Sequence, residues 1–126
     1  MAEPKQKIIL LVEDEKYLRE MAAFKLEKSG FRVLVAENAD KAFEILKTEK
    51  PDLIWSDILM PGMSGLEFAE KVKSNEETKD IPIVMVSVSG GPDMIEKAFA
   101  IGVSDYVVKS QFSLDRIIDK IKVFFK

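Results

Sequence analysis

The sequence predicts a doubly wound α/β fold: a five-stranded parallel sheet with helices on both faces. Three observations carry that reading. Short apolar runs alternate with longer stretches whose apolar residues recur at helical spacing, and this pairing recurs along the whole chain. Several of the runs are apolar throughout, as strands buried on both faces require. The length, 126 residues, suits one domain. A chain of that size buries roughly two-thirds of its unfolded surface and needs no disulfide or structural metal to hold a core.

Each element has its own signal. Ile8–Val12 is a continuous apolar run and the first strand. Leu18, Met21, Ala22 and Leu26 then repeat at helical spacing, and Gly30 is placed to end that helix. Phe31–Ala36 is the second strand. Asn38 caps a helix with Ala39, Ala42, Phe43 and Leu46 inward. Pro51 and Asp52 break the chain before the third strand, Leu53–Asp57. After a long turn, Ser64-Gly65-Leu66-Glu67 reads as a capping box, opening a helix with Leu66, Ala69 and Val72 inward. Pro82 sits at the mouth of the fourth strand, Ile83–Ser87, where a missing N–H is tolerated. Pro92 starts a helix carrying Met94, Ile95, Ala98 and Ile101, and Gly102 stops it. The fifth strand lies near Asp105–Val108. Ser113 caps the last helix, whose Leu114, Ile117, Ile118, Ile121 and Phe124 share one face. Right-handed crossovers favour the strand order 2-1-3-4-5 of flavodoxin-like sheets. The reading is a single domain over residues 1–126 with its core from about 7 to 125. Because the chain stops as the fifth helix ends, no output domain is expected on it.

Composition excludes more than it suggests. There are 19 basic and 22 acidic residues, no histidine and no cysteine. A net charge of −3 argues against a phosphate-tracking surface, so no nucleic-acid partner is expected. Without cysteine there is no thiolate nucleophile or zinc-thiolate site. Without histidine there is no imidazole base, no Ser-His-Asp triad and no phosphohistidine on this chain. The N-terminus lacks a signal-peptide core and Ile8–Val12 is too short to span a bilayer. A cytoplasmic protein without membrane insertion is the expectation.

In a sheet of this kind ligands gather outside the carboxyl ends of the strands. The first strand ends at Glu13, Asp14 and Glu15, the third at Asp57, the fourth at Ser87, and Lys109 closely follows the fifth. Clustered carboxylates repel one another, and a hard divalent ion relieves that repulsion. Oxygen-only ligands select Mg²⁺, with Mn²⁺ possible, over zinc. A carboxylate beside such an ion can act as a nucleophile toward phosphorus. Metal, lysine and hydroxyl would then share the three equatorial oxygens of the transferring group.

Val12-Glu13-Asp14-Glu15, the run Asp57-Ile58-Leu59-Met60-Pro61-Gly62-Met63-Ser64-Gly65, Val86-Ser87 and Gly102–Lys109 stand in order at these strand ends. Together they resemble the CheY-like receiver domain of two-component response regulators, from Lys7 to about Phe125. The resemblance implies that Asp57 is the phosphoacceptor, taking a phosphoryl group from a histidine kinase or histidine phosphotransfer protein. It implies that Asp14 ligates Mg²⁺ directly, Glu13 through water, and Asp57 and the backbone carbonyl of Leu59 complete the protein ligands. Ser87 matches the hydroxyl that moves toward the phosphoryl group, Tyr106 the aromatic that rotates with it, and Lys109 the phosphate-pairing lysine. The implied output is a face of helix four, strand five and helix five that docks a downstream protein or a second copy. On this reading the chain is a switch that promotes its own phosphorylation and dephosphorylation, and it is not a turnover enzyme.

Three positions depart from the family pattern. Ser110 stands where proline is usual, Ser87 replaces the commoner threonine, and Val88 occupies a place often held by a smaller residue. Family prolines there commonly take a cis bond, which costs a serine about 2.5–4 kcal/mol. Ser110 and Val88 favour one alternative, a pseudo-receiver that binds partners without phosphorylation. A Mg²⁺-dependent aspartyl-phosphate phosphohydrolase is a second, against which Leu59 stands where such enzymes place a proton-transferring acid. A flavin-binding flavodoxin is disfavoured by acids where a phosphate needs a cradle. Leu59 and Ser89 flank the route of an attacking water, and Leu59 offers it no hydrogen bond. Trp55 and the methionines Met60, Met63 and Met85 read as packing, and Gly90-Gly91-Pro92 as a turn.

Overall fold

The structure is a computed structural model that describes residues 6–88 and 91–125; Ser89 and Gly90, singled out above, lie outside the described residues. The elements run β1 (Ile8–Val12), α1 (Lys16–Lys28), β2 (Arg32–Ala36), α2 (Ala39–Leu46), β3 (Leu53–Ser56), α3 (Gly65–Ser74), β4 (Ile83–Ser87), α4 (Pro92–Ile101), β5 (Asp105–Val108) and α5 (Leu114–Val123). All strand pairs are parallel, and the sheet order is β2-β1-β3-β4-β5. The expected fold class and strand order are both present.

Local chemistry explains the boundaries. Gly30, at φ 99°, lets the chain leave α1: its N–H donates to Glu27 O at 3.0 Å and that of Phe31 to Leu26 O at 3.1 Å. Those two bonds form a Schellman closure, which needs a left-handed residue. The side chains of Asn38, Ser64 and Ser113 accept from the backbone N–H groups of Lys41, Glu67 and Arg116, capping α2, α3 and α5. Pro92 opens α4 in the first turn, where its missing N–H costs nothing.

Successive strand residues point to opposite faces, so the sheet splits the core in two. Leu10, Val12, Ile54, Ile83 and Met85 meet Phe68, Ala69 and Val72 of α3 and Ala98 of α4. Ile9, Leu11, Trp55, Val84 and Val86 meet Ala22 and Leu26 of α1 and Ile117, Ile118 and Ile121 of α5. Trp55 is thus a core residue, and Met85 is too, with Met60 and Met63 packed against its cluster.

Three expectations need correction. Asp57 lies one residue beyond β3, although its N–H still donates to Val12 O at 3.0 Å, so β1 positions it as a strand neighbour would. On α3 the inward set also includes Phe68, fully buried and packed on Phe43 at 5.1 Å between ring centroids, while Leu66 packs half-buried against the same cluster. At the end of α5, Phe124 is exposed, and Phe125 packs on Phe31 at 5.7 Å. Helical spacing cannot show that partner, which stands just before β2, a strand that begins at Arg32 and not at Phe31. The Lys109–Ser110 bond is trans, as all described peptide bonds are. Among the described residues no helix is long and apolar enough to cross a membrane.

Candidate functional site

The carboxyl ends of β1, β3, β4 and β5 meet at one pocket. Oxygens of Glu13, Asp14 and Asp57 all lie within 4.8 Å of one another. Glu13 and Asp57 retain only 3% and 7% of their surface, and Asp14 is the more open member. Carboxylates leave water at such cost only when they are paired. Here Lys109 does the pairing, with Nζ donating to Glu13 Oε1 at 2.8 Å and to Asp57 Oδ2 at 3.5 Å. The remaining oxygens are held by backbone: Glu15 N–H donates to Glu13 Oε2 at 3.1 Å, and Ile58 N–H to Asp57 Oδ1 at 2.7 Å.

Lys109 is itself fixed by the sheet, because its own N–H donates to Ser87 O at 2.6 Å. Burial pulls its pKa down more than any other single influence. Its hydrogen bond to Glu13 and the charges of Asp57 and Glu13 together outweigh that, so the ammonium titrates above the ordinary lysine value. Three carboxylates against one ammonium leave the pocket two positive charges short of neutrality. That deficit and the all-oxygen donor set fit one hard divalent cation.

Ser87 is buried at the end of β4, and Tyr106 is half-buried on β5. Burial raises the Tyr106 phenol pKa. The hydrogen-bonding side chain of Ser87 opposes that shift, and the charge of Asp57 adds to it. The phenol therefore stands within hydrogen-bonding reach of Ser87 and in the field of the Asp57 charge.

The structure thus brings Glu13, Asp14, Asp57 and Lys109 into one cluster and sets Ser87 with Tyr106 beside it. The Leu59 side chain is 60% exposed and Val88 is also exposed. Two supporting residues escape a reading by chemistry alone. Arg19 of α1 donates from one guanidinium nitrogen to the carbonyls of Glu13 and Asp14, at 3.0 and 3.3 Å, and so pins the loop that carries the acid pair. Its only sequence signal is a cation less than two turns after the acids. Gly65, at the start of α3, lies against the backbone of Asp57 and Ile58. A Cβ there would meet Asp57 O and would sit 2.8 Å from Ile58 Cα. The Gly65 N–H donates to Ile58 O at 2.8 Å, so α3 begins directly on the acceptor loop.

Comparison with known proteins agrees with this geometry. The family model described as "Response regulator receiver domain" matches residues 9–122. The phosphate regulon transcriptional regulatory protein PhoB of Pseudomonas aeruginosa is 39% identical over 120 residues, 95% of this chain and 52% of that protein. The transcriptional regulatory protein CrdR of Helicobacter pylori is 34% identical, over 95% of this chain and 55% of that protein. The chain therefore spans about half the length of these curated relatives. Among solved structures, Vibrio cholerae chemotaxis protein CheY4 superposes with a TM-score of 0.88 at 26% identity, covering 94% of this chain and 98% of that one. Response regulator protein TrrA from Thermotoga maritima, in complex with Mg²⁺-BeF, gives 0.81 at 33% identity, covering 93% and 97%. A family match that begins within β1 and ends within α5 takes in every element between them, and the chain belongs to the response regulator receiver domain family, as a receiver domain of two-component signalling.

Proposed function

We propose that this chain accepts a phosphoryl group on Asp57 from a phosphohistidine donor, in a Mg²⁺-dependent reaction in the cytoplasm, and that acceptance resets a partner-binding face through Ser87 and Tyr106. The donor would be a histidine kinase or a histidine phosphotransfer protein, since this chain holds no histidine. The observation that carries the reading is the convergence of Glu13, Asp14 and Asp57 with Lys109 at the strand ends. The similarity to TrrA, solved with Mg²⁺-BeF, supports it.

Asp14, Asp57 and the Leu59 carbonyl would hold the ion directly. Glu13, held by the Glu15 N–H and by Lys109, would act through water as in the family pattern. When bound, Mg²⁺ supplies positive charge to the transferring phosphoryl oxygens. An Asp57 oxygen attacks phosphorus, the bond from phosphorus to the donor imidazole nitrogen breaks, and that nitrogen keeps the electron pair. The Ile58 N–H holds the carboxylate plane during attack. Lys109 faces Asp57 Oδ2 and offers its ammonium to one phosphoryl oxygen, and Ser87 offers its hydroxyl to another. As Ser87 turns inward, its interaction with Tyr106 changes, which biases α4, β5 and α5 toward a downstream protein or a second copy. The chain acts as a switch, not a turnover enzyme.

Intact-mass measurement with Mg²⁺ and acetyl phosphate tests this. A gain of one phosphoryl group is expected, lost on chelation and absent in Asp57→Asn. No gain, or an equal gain in Asp57→Asn, overturns the assignment and leaves the pseudo-receiver reading.

A further inference from the structure

Behind the acid pocket, on the α1/α5 side of the sheet, lies a space of different chemistry. A cavity of about 160 Å³ has its floor on Leu11, Trp55 and Val86, all buried, and its side on Ala22 of α1. Leu18, Phe112 and Leu114 also line it and are half-buried, so they form its mouth between α1 and the segment leading into α5. Glu13 and Lys109 line it as well, which makes one of its walls a wall of the acid pocket.

We propose that this cavity binds a small, neutral, single-ring aromatic molecule, and that its occupancy is coupled to the acid pocket through the Glu13–Lys109 pair. Size sets the first limit: a protein cavity of about 150 Å³ lined by Leu, Ile and Phe takes up benzene. A space of this volume holds one ring and excludes a length of peptide backbone. Charge sets the second. On this wall Glu13 and Lys109 already hold each other at 2.8 Å and the rest of the lining is apolar, so an entering ion would lose its hydration without gaining a free partner inside the cavity. Lining sets the third, because the rings of Trp55 and Phe112 favour an aromatic guest in tilted or offset contact. The half-buried mouth gives entry without opening the core.

Coupling follows from the shared wall. A cation or phosphoryl group that changes how Glu13 and Lys109 are held also changes the cavity, and the effect is reciprocal. This second half rests on the proposed function; ring binding itself does not.

Fluorobenzene is a suitable probe, followed by ¹⁹F NMR and by amide spectra of the ¹⁵N-labelled chain without metal. Saturable binding in the millimolar range or tighter is expected, with shifts centred on Leu11, Leu18, Trp55, Val86 and Phe112. Ala22→Leu extends carbon into the cavity and should weaken binding about tenfold. Leu18→Trp at the mouth should do the same, and it serves where Ala22→Leu fails to fold. Non-saturable shifts, shifts centred on exposed rings such as Phe24 and Phe99, or undiminished binding in a folded variant would overturn the site. For coupling, Mg²⁺ is titrated on Trp55 fluorescence with and without fluorobenzene, and a change in apparent Mg²⁺ affinity of at least about twofold is expected. Unchanged affinity overturns the coupling alone. A Mg²⁺ response absent under both conditions counts against the proposed function and the coupling, and leaves ring binding standing on its own spectra.

Discussion

Lys109→Met removes an ammonium while keeping most of its apolar stem, and the structure sets the size of the effect. Nζ lies 2.8 Å from Glu13 Oε1, and the two side chains keep 17% and 4% of their surface. An exposed pair would be worth about 0–1 kcal/mol. Breaking a buried pair from one side costs about 3–5 kcal/mol, because the remaining charge stays buried without compensation. The residual exposure of Lys109 and the Glu15 N–H on Glu13 Oε2 put the expected loss near the lower end, about 3 kcal/mol. With a urea slope of about 2 kcal/mol per molar, the unfolding midpoint should fall by about 1.5 M in metal-free buffer. Saturating Mg²⁺ returns positive charge to the pocket, so the deficit should shrink there. Glu13→Gln combined with Lys109→Met removes both charges of the closer pair and should recover much of the loss. A metal-free midpoint shift below about 0.5 M, or a double variant less stable than Lys109→Met alone, would refute the reasoning.

Gly65→Ala forces a methyl into the Asp57–Ile58 backbone. Overpacking of this kind costs about 1–3 kcal/mol, which calorimetry should read as a Tm lower by about 5–10 °C. Phosphoryl uptake should slow as well, and an unchanged Tm with unchanged uptake contradicts the close approach. The raised pKa of Lys109 fixes the sign of a pH effect. A group held above its unfolded value stabilises fully below about pH 10.4, and its contribution is lost as pH rises through the folded value. The urea-midpoint gap between the parent chain and Lys109→Met should therefore hold steady through neutral pH and narrow in strong alkali; a widening gap counts against the pairing. Leu59→Asn places a hydrogen-bonding group beside the acceptor and should shorten the phosphorylated lifetime measured by intact mass, with equal or slower decay as the contrary result.

What was legible in the chain is what depends on near neighbours. The bounds of β1 and β4, the caps Asn38, Ser64 and Ser113 and the stop at Gly102 are local decisions, and the structure follows them. Strand ends are legible too, and they bring Glu13, Asp14, Asp57, Ser87 and Lys109 together from sequence position alone. Partner choice within that group was not legible. Lys109 and Glu13 are 96 positions apart, and only the pocket geometry gives Lys109 to Glu13 more closely than to Asp57. The same holds for Phe125 on Phe31 and for the cavity against Trp55, which arise where separate elements fail or succeed in filling space. Gly65 was visible as part of a motif, but the reason for a glycine there is a backbone contact with a residue eight positions earlier.

The packing of α4 gives the molecule an uneven resistance to opening. Of its residues only Ala98 is fully buried, while every residue of β4 beside it is. Elements with few buried apolar contacts open at a free energy well below that of global unfolding. Amide hydrogens of α4 should exchange with solvent through such partial openings, while those of β1, β3 and β4 wait for the whole domain to unfold. The same thin attachment lets the outer surface of α4 vary in sequence at little cost to the fold, so substitutions can accumulate there without disturbing the acid pocket.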